Sequence, residues 1–404
     1  MKIAMVVSRF PVLSETFILN QITGLLRLGH EVDIYALDGR EPLHAGAHPA
    51  VERYGLLERT FFLEPTRTPV SNWWRVGRPL SSLFPRKAIT DAPLLEKTEY
   101  DIVHCQFGVM GWRTLPIREL GSLKGALVVS FRGYDISGFL RDRGERIYDE
   151  LFKKADFLLA NCDYFKKRLV SLGCDAAKIQ IHYSGIDLER FRFAPRFFQT
   201  NRTIQLLSVG RLIEKKGFEY AVRAVARLVK TDRLKVIYKI IGEGPLRGDL
   251  EKMIEKLGLT GTVFLAGAMT QSGIIAAMEN ADLFLAPSVR AVGGDEDGPV
   301  NSIKEAMASG VPVIATRHGG IPELVEDDVS GFLVPERDPE VLSQKIIYLL
   351  NHPRVGMTMS AAGRACVERK FDIEKLNNEL VSVYQKVIRS SRFNQKEEVC
   401  RTSR

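Results

Sequence analysis

Short apolar runs rich in β-branched residues alternate along this chain with amphipathic stretches of helical spacing, and the alternation starts over near the middle. KIAMVVS (2–8) leads into SETFILNQITGLLRLGH (14–30), EVDIYAL (31–37) follows, and DIVHC (101–105), ALVVSF (126–131) and DFLLAN (156–161) each precede a helical pattern. A strand that faces water on one side alternates apolar with polar residues. These runs are continuous, so both faces of their sheet are covered, as in parallel sheets. Strand-helix repetition of this kind gives a doubly wound α/β fold.

The restart follows a basic, proline-containing stretch, ERFRFAPRFFQTNR (189–202). After it come TIQLLSVG (203–210), the helical GFEYAVRAVARLVK (217–230), KVIYKIIG (235–242), a helix from Pro245, TVFLAG (262–267), DLFLAP (282–287) and VPVIAT (311–316). The chain of 404 residues therefore divides into one α/β domain over 1–190 and a second over 200–370, with a polar tail from 391 expected to fray. In such folds ligands bind beyond the carboxyl ends of the strands, which places the site in the cleft between the two domains.

Composition removes several function classes. No apolar run approaches the roughly 18 residues a membrane span needs, and the first apolar stretch is broken at Arg9, unlike a signal peptide. The five cysteines are scattered without a Cys-x-x-Cys, which argues against structural zinc and a disulfide framework and for a reducing compartment. The expected location is cytoplasmic. The net charge of +8 suits anionic small substrates or an anionic membrane surface and does not call for nucleic acid. Residues 38–99 break the alternation and carry FF (61–62), NWWRVGRPL (72–80) and LFPRK (83–87). Two readings fit the 59–87 stretch: a partly buried insertion with solvated basic residues, or an interfacial patch drawn to anionic lipid.

DEDGPVNSIKEAMASG (295–310) concentrates the chemistry. Pro299 is placed as first helical residue and Gly310 as C-terminal cap, so a helix begins near 299–301 with free N–H groups facing the acidic loop. Its start is an anion site, with Asp297 before it and Glu305 about two turns in, a spacing that suits a diphosphate flanked by two sugars. The plainer alternative is an N-cap Asp and a surface Glu. SVGRLIEKKGFEY (208–220) brings Arg211 and Lys216 to the same sheet edge, where two cations hold a pyrophosphate and take up its charge as it leaves; Lys215 is expected to be solvated. IGEGPLRGDL (241–250), with Gly242, is a strand-turn-helix of low specificity, and RHGGIPELV (317–325), with Leu324, offers backbone to a ligand.

GRLIEKKGFEY, IGEGPLR, DGPVNSIKEAMASGVPVIAT, HGGIPELV and SGFLVP, in this order, resemble glycosyltransferase family 4, whose members are retaining enzymes of GT-B fold that use nucleotide-diphosphate sugars. FPVLSETFILNQI (10–22) and FRGYDIS (131–137) are similar to the bacterial exopolysaccharide branch, of the colanic-acid and amylovoran type. The resemblance implies two Rossmann-like domains, with a helix over 371–390 crossing back to the first. It implies that Arg211 and Lys216 hold the diphosphate and Glu305 the ribose, while Asp297 and the amides of Gly298, Pro299 and Val300 grip the donor sugar. Three positions depart from the family pattern. Asp297 stands where Glu is usual, so Glu296 is the alternative sugar ligand; Arg132 replaces a His and stays protonated, which suits a phosphate or an acidic acceptor; and Ser184-Gly185-Ile186-Asp187 replaces Asn-Gly-Val-Asp.

On the acceptor side, Glu15 and Thr16 open the first helix, either near the donor phosphate or as a plain N-cap; His104 ends a strand at the same edge, and Asp135 lies just past another, placed to bind a sugar hydroxyl or Arg132. His104 is either a packed residue or an acceptor contact. No Asp-x-Asp pair sits where a metal-held diphosphate needs it, so no metal and no cofactor beyond the donor is expected. The reading is a retaining hexosyltransferase acting on a lipid-linked saccharide acceptor. A nucleotide-sugar epimerase and a non-catalytic nucleotide-sugar binder are its alternatives.

Overall fold

The computed structural model describes residues 1–12, 15–40, 48–63, 98–121, 123–196 and 202–402. The first sheet contains β1 (Lys2–Val7), β2 (Glu31–Ala36), β3 (Thr60–Phe62), β4 (Thr98–Gln106), β5 (Leu123–Phe131), β6 (Phe157–Ala160) and β7 (Ile179–Ile181). The second contains β8 (Ile204–Val209), β9 (Val236–Ile241), β10 (Val263–Leu265), β11 (Leu283–Ala286), β12 (Val313–Thr316) and β13 (Phe332–Val334). Their orders are β3-β2-β1-β4-β5-β6-β7 and β10-β9-β8-β11-β12-β13, and every paired strand is parallel. In each sheet the winding reverses once, between β1 and β4 and between β8 and β11. Ligand crevices open at such points, where adjacent loops diverge to opposite faces.

Burial explains the continuous runs. Ile3 to Val7 are fully buried because their side chains alternate between two cores. Ala4 and Val6 join Val103, Leu127 and Leu158 on one face, and Ile3, Met5 and Val7 join Ile22, Ile34 and Val128 on the other. The second sheet is covered on both faces in the same way. The aromatic and basic residues of 64–87 lie outside the described residues.

The chain passes between the sheets twice at one place. The Ile186 amide donates to Phe371 O at 2.9 Å and the Ile373 amide donates to Ile186 O at 3.1 Å, so the outgoing and returning segments pair as two short parallel strands. A Cβ on Gly185 would lie 2.8 Å from Ile373 Cα, so the crossing admits only glycine without a shift. The returning helix, Ile373–Thr402, then inserts Leu380, Val383, Tyr384 and Val387 into the core of the first domain. Each such burial is worth about 1.5–3 kcal/mol. The helix runs through the polar tail, so that stretch is helical where fraying was expected.

Candidate active site

At the second sheet's carboxyl edge, β8 leads into a single 3-10 turn, Glu214–Lys216, and then Gly217 at φ 60° before the Phe218–Lys230 helix. A Cβ on Gly217 would sit 1.9 Å from Pro287 O; glycine lets this turn lie directly on the loop after β11. The Val289 amide donates to Lys215 O at 2.8 Å, joining the two loops.

Both lysines of that turn point into the acidic loop. Lys216 Nζ stands 2.8 Å from Asp297 Oδ2, and Lys215 Nζ stands 3.0 Å from Asp295 Oδ1 and 3.5 Å from Asp297 Oδ1. Ser288 Oγ donates to Asp297 Oδ2 at 2.9 Å. Lys215 is 6% exposed, so the expectation that it is solvated is corrected: two facing aspartates compensate its burial. Burial pushes the Asp297 carboxyl up, but the ammoniums of Lys216 and Lys215 outweigh it and hold the group well below the usual carboxylate range. Burial likewise lowers Lys216 against the pull of Asp297. Arg211 is exposed at the mouth of the same turn, close enough to Lys216 to oppose its charge. Asp295 and Asp297 do have Asp-x-Asp spacing, and both are engaged by lysine.

The main chain of Asp297 is fixed from behind. Its amide donates to His318 Nε2 at 3.0 Å, which leaves the ring proton on Nδ1, bonded to Glu336 Oε1 at 2.6 Å. The Gly320 amide donates to Asp297 O at 3.0 Å, and a Cβ on Gly319 would lie 2.1 Å from that oxygen. The paired glycines of RHGGIPELV therefore approach the protein's own backbone, where a ligand was expected. Leu324, a few residues on, is buried in the core, and its amide donates to Ile321 O at 2.9 Å within the short turn. Gly242 serves a similar internal purpose, because a Cβ there would lie 1.9 Å from Gly210 O.

From this anchor Gly298–Val300 runs to the Asn301–Ala308 helix, with Val300 extended at its N-cap. Pro299 is not the first helical residue as expected: the helix begins two residues later, and Pro299 packs against Gly320. Gly310 does take the left-handed conformation past the helix end, at φ 78°. The first amides of the helix have no intrahelical acceptor, and Ser302 Oγ donates to Val209 O at 2.9 Å, which sets the helix start against the end of β8. Glu305, within the helix, meets no side-chain partner among the described residues. Burial pushes its carboxyl up to about 7, against the adjacent Lys304.

The first domain closes the cleft with β4, β5 and the start of its first helix. Arg132 Nη1 donates to Ser184 Oγ at 2.6 Å and Nη2 to Gln106 Oε1 at 2.9 Å, with the guanidinium 4.6 Å above the Phe17 ring. Its Nε is buried without a partner. Glu15 is at the N-cap of the Thr16–Arg27 helix, within electrostatic range of Arg132, and Thr16 is the first helical residue.

Two acceptor-side expectations are corrected. His104 is fully buried, with Nδ1 2.6 Å from Tyr384 Oη and Nε2 2.8 Å from Ser130 Oγ; it joins the returning helix to the sheet and does not face the cleft. Asp135 is buried too and accepts from the amides of Gly108, Arg132 and Gly133 at 2.7, 3.0 and 2.9 Å, so its oxygens order two loops and leave none for a sugar.

Several contacts across the cleft were not read from sequence. Lys304, fully buried, donates to Ser184 O at 2.7 Å and Asn301 Oδ1 at 2.9 Å, and burial, with Arg132 nearby, lowers it to about 7. Glu323 accepts from the amides of Asp163 and Tyr164 at 2.8 and 2.9 Å, capping a helix of the opposite domain, and from Tyr183 Oη at 3.1 Å. Glu296 faces the first domain, where Tyr164 Oη lies 3.0 Å from both its oxygens. The adjacency of Lys215-Lys216 to an acidic loop was the one available signal; the others depend on the packing of the two domains.

Comparison with known proteins gives the same picture over the whole chain. The family model described as Glycosyltransferase Family 4 matches residues 14–190, and that described as Glycosyl transferases group 1 matches 190–365. The putative colanic acid biosynthesis glycosyltransferase WcaL of Escherichia coli is 34% identical over 95% of this chain and 100% of its own length. The amylovoran biosynthesis glycosyltransferase AmsK of Erwinia amylovora is 32% identical over 96% and 100%. Among solved structures, Anabaena HepE in complex with UDP-glucose superposes with a TM-score of 0.72 at 19% identity, covering 96% of this chain and all of that one. Sucrose-phosphate synthase from Thermosynechococcus elongatus does so with a TM-score of 0.72 at 17% identity and the same coverage. Both share its GT-B fold.

Proposed function

The chain belongs to glycosyltransferase family 4, and from that membership we propose that it transfers a hexose, with retention, from a nucleotide-diphosphate sugar to a lipid-linked saccharide acceptor in exopolysaccharide synthesis. The nucleotide of the donor is a uridine diphosphate by analogy with HepE, and the polymer class follows the names of the WcaL and AmsK relatives. The observation that carries the reading is the Lys216–Asp297 pair lying before the free start of the Asn301–Ala308 helix. The epimerase and the non-catalytic binder are not favoured, since the relatives similar over the full chain are named as transferases.

In this mechanism the donor diphosphate enters between Arg211 and the first amides of the helix. It draws Lys216 away from Asp297, and the freed carboxylate oxygen accepts a hydroxyl of the donor sugar. Glu305 accepts the ribose hydroxyls. The bond from the anomeric carbon to the β-phosphate oxygen breaks, the acceptor oxygen bonds to that carbon from the same face, and the acceptor proton passes to the departing phosphate. Arg211, Lys216 and the helix start take up the developing charge, with no metal needed for that task. Preorganised contacts of this kind are each worth about a hundredfold or more in turnover.

Mass spectrometry and NMR of the product from a panel of uridine-diphosphate sugars test the proposal. A product whose anomeric configuration is inverted relative to the donor would exclude retention, and full activity only with added divalent metal would exclude the metal-free route. Peripheral contact with anionic membrane through 59–87 belongs to the same reading, motivated by the aromatic and basic sequence there. Wild-type protein that ignores anionic vesicles at low salt removes it.

A further inference from the structure

The loops after three neighbouring strands meet behind Asp297. β12 pairs with β13 so that Thr316 stands beside Val334, and the Arg317 amide extends the ladder by donating to Val334 O at 2.8 Å. Two residues beyond that pair, His318 and Glu336 lie side by side, with His318 Nδ1 2.6 Å from Glu336 Oε1. The other oxygen, Oε2, accepts from the Arg290 amide at 2.9 Å and from Arg337 Nη1 at 3.1 Å. One carboxylate thus ties the loop after β11, which carries Asp297, to the loops after β12 and β13. The His318 ring is 2% exposed and both its nitrogens are occupied, so its orientation is fixed.

What His318 holds is a peptide unit. The Asp297 amide donates to His318 Nε2, and the carbonyl of the same peptide, Glu296 O, accepts from Lys215 Nζ at 3.3 Å. The next peptide is held as well, through Asp297 O and the Gly320 amide. The Asp297 Cα therefore sits between two anchored peptides. His318 and Gly320 bind only main chain here, while the carboxylate has separate partners in Lys216 and Ser288.

That separation matters for a residue whose side chain must change partner. In the transfer proposed above, the donor draws Lys216 from Asp297, so a charged tie on the acidic loop is lost just when the sugar has to be gripped. The segment leading into the loop is a poor anchor: Val292 and Gly293 are exposed, and two successive glycines have the widest backbone freedom a chain offers. With the ion pair open, the bonds to His318 and Gly320 remain, and they fix the point from which the carboxylate reaches. A displacement of about 1 Å at a reacting centre costs about a hundredfold in rate.

We propose that His318, itself oriented by Glu336, is a positioning residue for sugar transfer. It holds the Asp297 main chain still while the carboxylate passes from Lys216 to the donor sugar. The inference rests on the role proposed for Asp297.

Transfer kinetics on the full-length protein, combining His318→Ala with Asp297→Asn, test this. Each variant is assayed at a temperature where its melting curve shows it folded. His318→Ala is expected to lower kcat about tenfold, the scale of one buried hydrogen bond, with the donor KM and the affinity for uridine diphosphate within about twofold of wild type. His318→Gln, whose amide oxygen can accept from the Asp297 N–H, is expected to recover most of that loss. Because His318 acts through the Asp297 carboxylate, adding His318→Ala to Asp297→Asn is expected to lower kcat by less than about twofold. Full additivity of the two substitutions overturns the proposal, as does a His318→Ala loss confined to KM or to Tm. If His318→Ala does not fold, Glu336→Ala, at a partly exposed position, takes its place in the same cycle, since it removes the acceptor that fixes the ring. Failure of the underlying reading shows separately: Asp297→Asn alone then turns over like wild type, and His318 has nothing to position.

Discussion

The Lys216 ammonium and the Asp297 carboxylate, 2.8 Å apart, are bonded to each other in a site where both were expected to hold a donor. With Lys215 and Asp295 they form a buried network of two cations and two anions. On the proposed function, donor binding exchanges one internal ion pair of this network for contacts to phosphate and sugar.

Removing the shared anion exposes that dependence. Asp297→Asn leaves two lysines facing the remaining Asp295, and taking one partner from a buried pair costs about 3–5 kcal/mol. The variant is expected to lose about 10 °C in Tm as well as turnover. The Asp297 carboxyl is depressed in the fold, so its contribution is fully present above about pH 4 and is lost as the pH falls further. Thermal unfolding from acid to neutral pH checks this. A Tm unchanged at neutral pH would refute the network's role.

Glu305 behaves in the opposite sense. Its folded value, about 7, lies above the ordinary 4.5. Its contribution to stability is therefore full below about pH 4.5 and is lost as pH rises through about 7. On the proposed function Glu305 accepts the ribose hydroxyls as a carboxylate, so affinity for uridine diphosphate is expected to rise over that upper range and to become flat in Glu305→Gln. Lys304, lowered to about 7 beside it, titrates over the same range, and Lys304→Met separates the two. If calorimetry finds the rise in affinity intact in Glu305→Gln, another group holds the ribose.

Glu323 joins the domains by accepting the first amides of the Asp163–Ser171 helix. Glu323→Ala removes those bonds and the one from Tyr183, and is expected to cost about 1–3 kcal/mol. Small-angle scattering should show a larger radius of gyration for the unliganded variant. An unchanged scattering curve means the other cross-domain bonds suffice.

The role of His104 can be tested through its partner. Tyr384→Phe leaves a buried imidazole nitrogen unpaired at a cost of about 1–3 kcal/mol. Turnover at a temperature where the variant is folded is expected to match wild type. A hundredfold loss of kcat without loss of Tm would return His104 to the active site.

Much of this architecture was legible in the sequence because the part of a strand buried on both faces is apolar, as Ile3–Val7 of β1, Ala126–Val129 of β5 and the whole of β11 are. β3, β7 and β13 are three residues each, too short to form a run, and become strands only through their neighbours. The acidic loop and its helix were found from charge and punctuation alone. The error at Pro299 arose because proline's fixed φ suits an extended segment as well as a first helical turn. His104 and Asp135 were misplaced for a different reason. Standing at a strand end puts a residue near the cleft, but Tyr384 and the amide of Gly108 lie far from them in sequence, and only packing shows that their polar atoms are already occupied.

The returning helix also bears on the order of events during synthesis. Leu380, Val383, Tyr384 and Val387 complete one core of the domain whose other members come almost entirely from residues 3–159. As the ribosome delivers the chain, the first sheet can assemble early, but an apolar face on it stays open while the whole second domain is translated. That face closes only after residue 387 has emerged, so until then the nascent domain carries an exposed apolar surface.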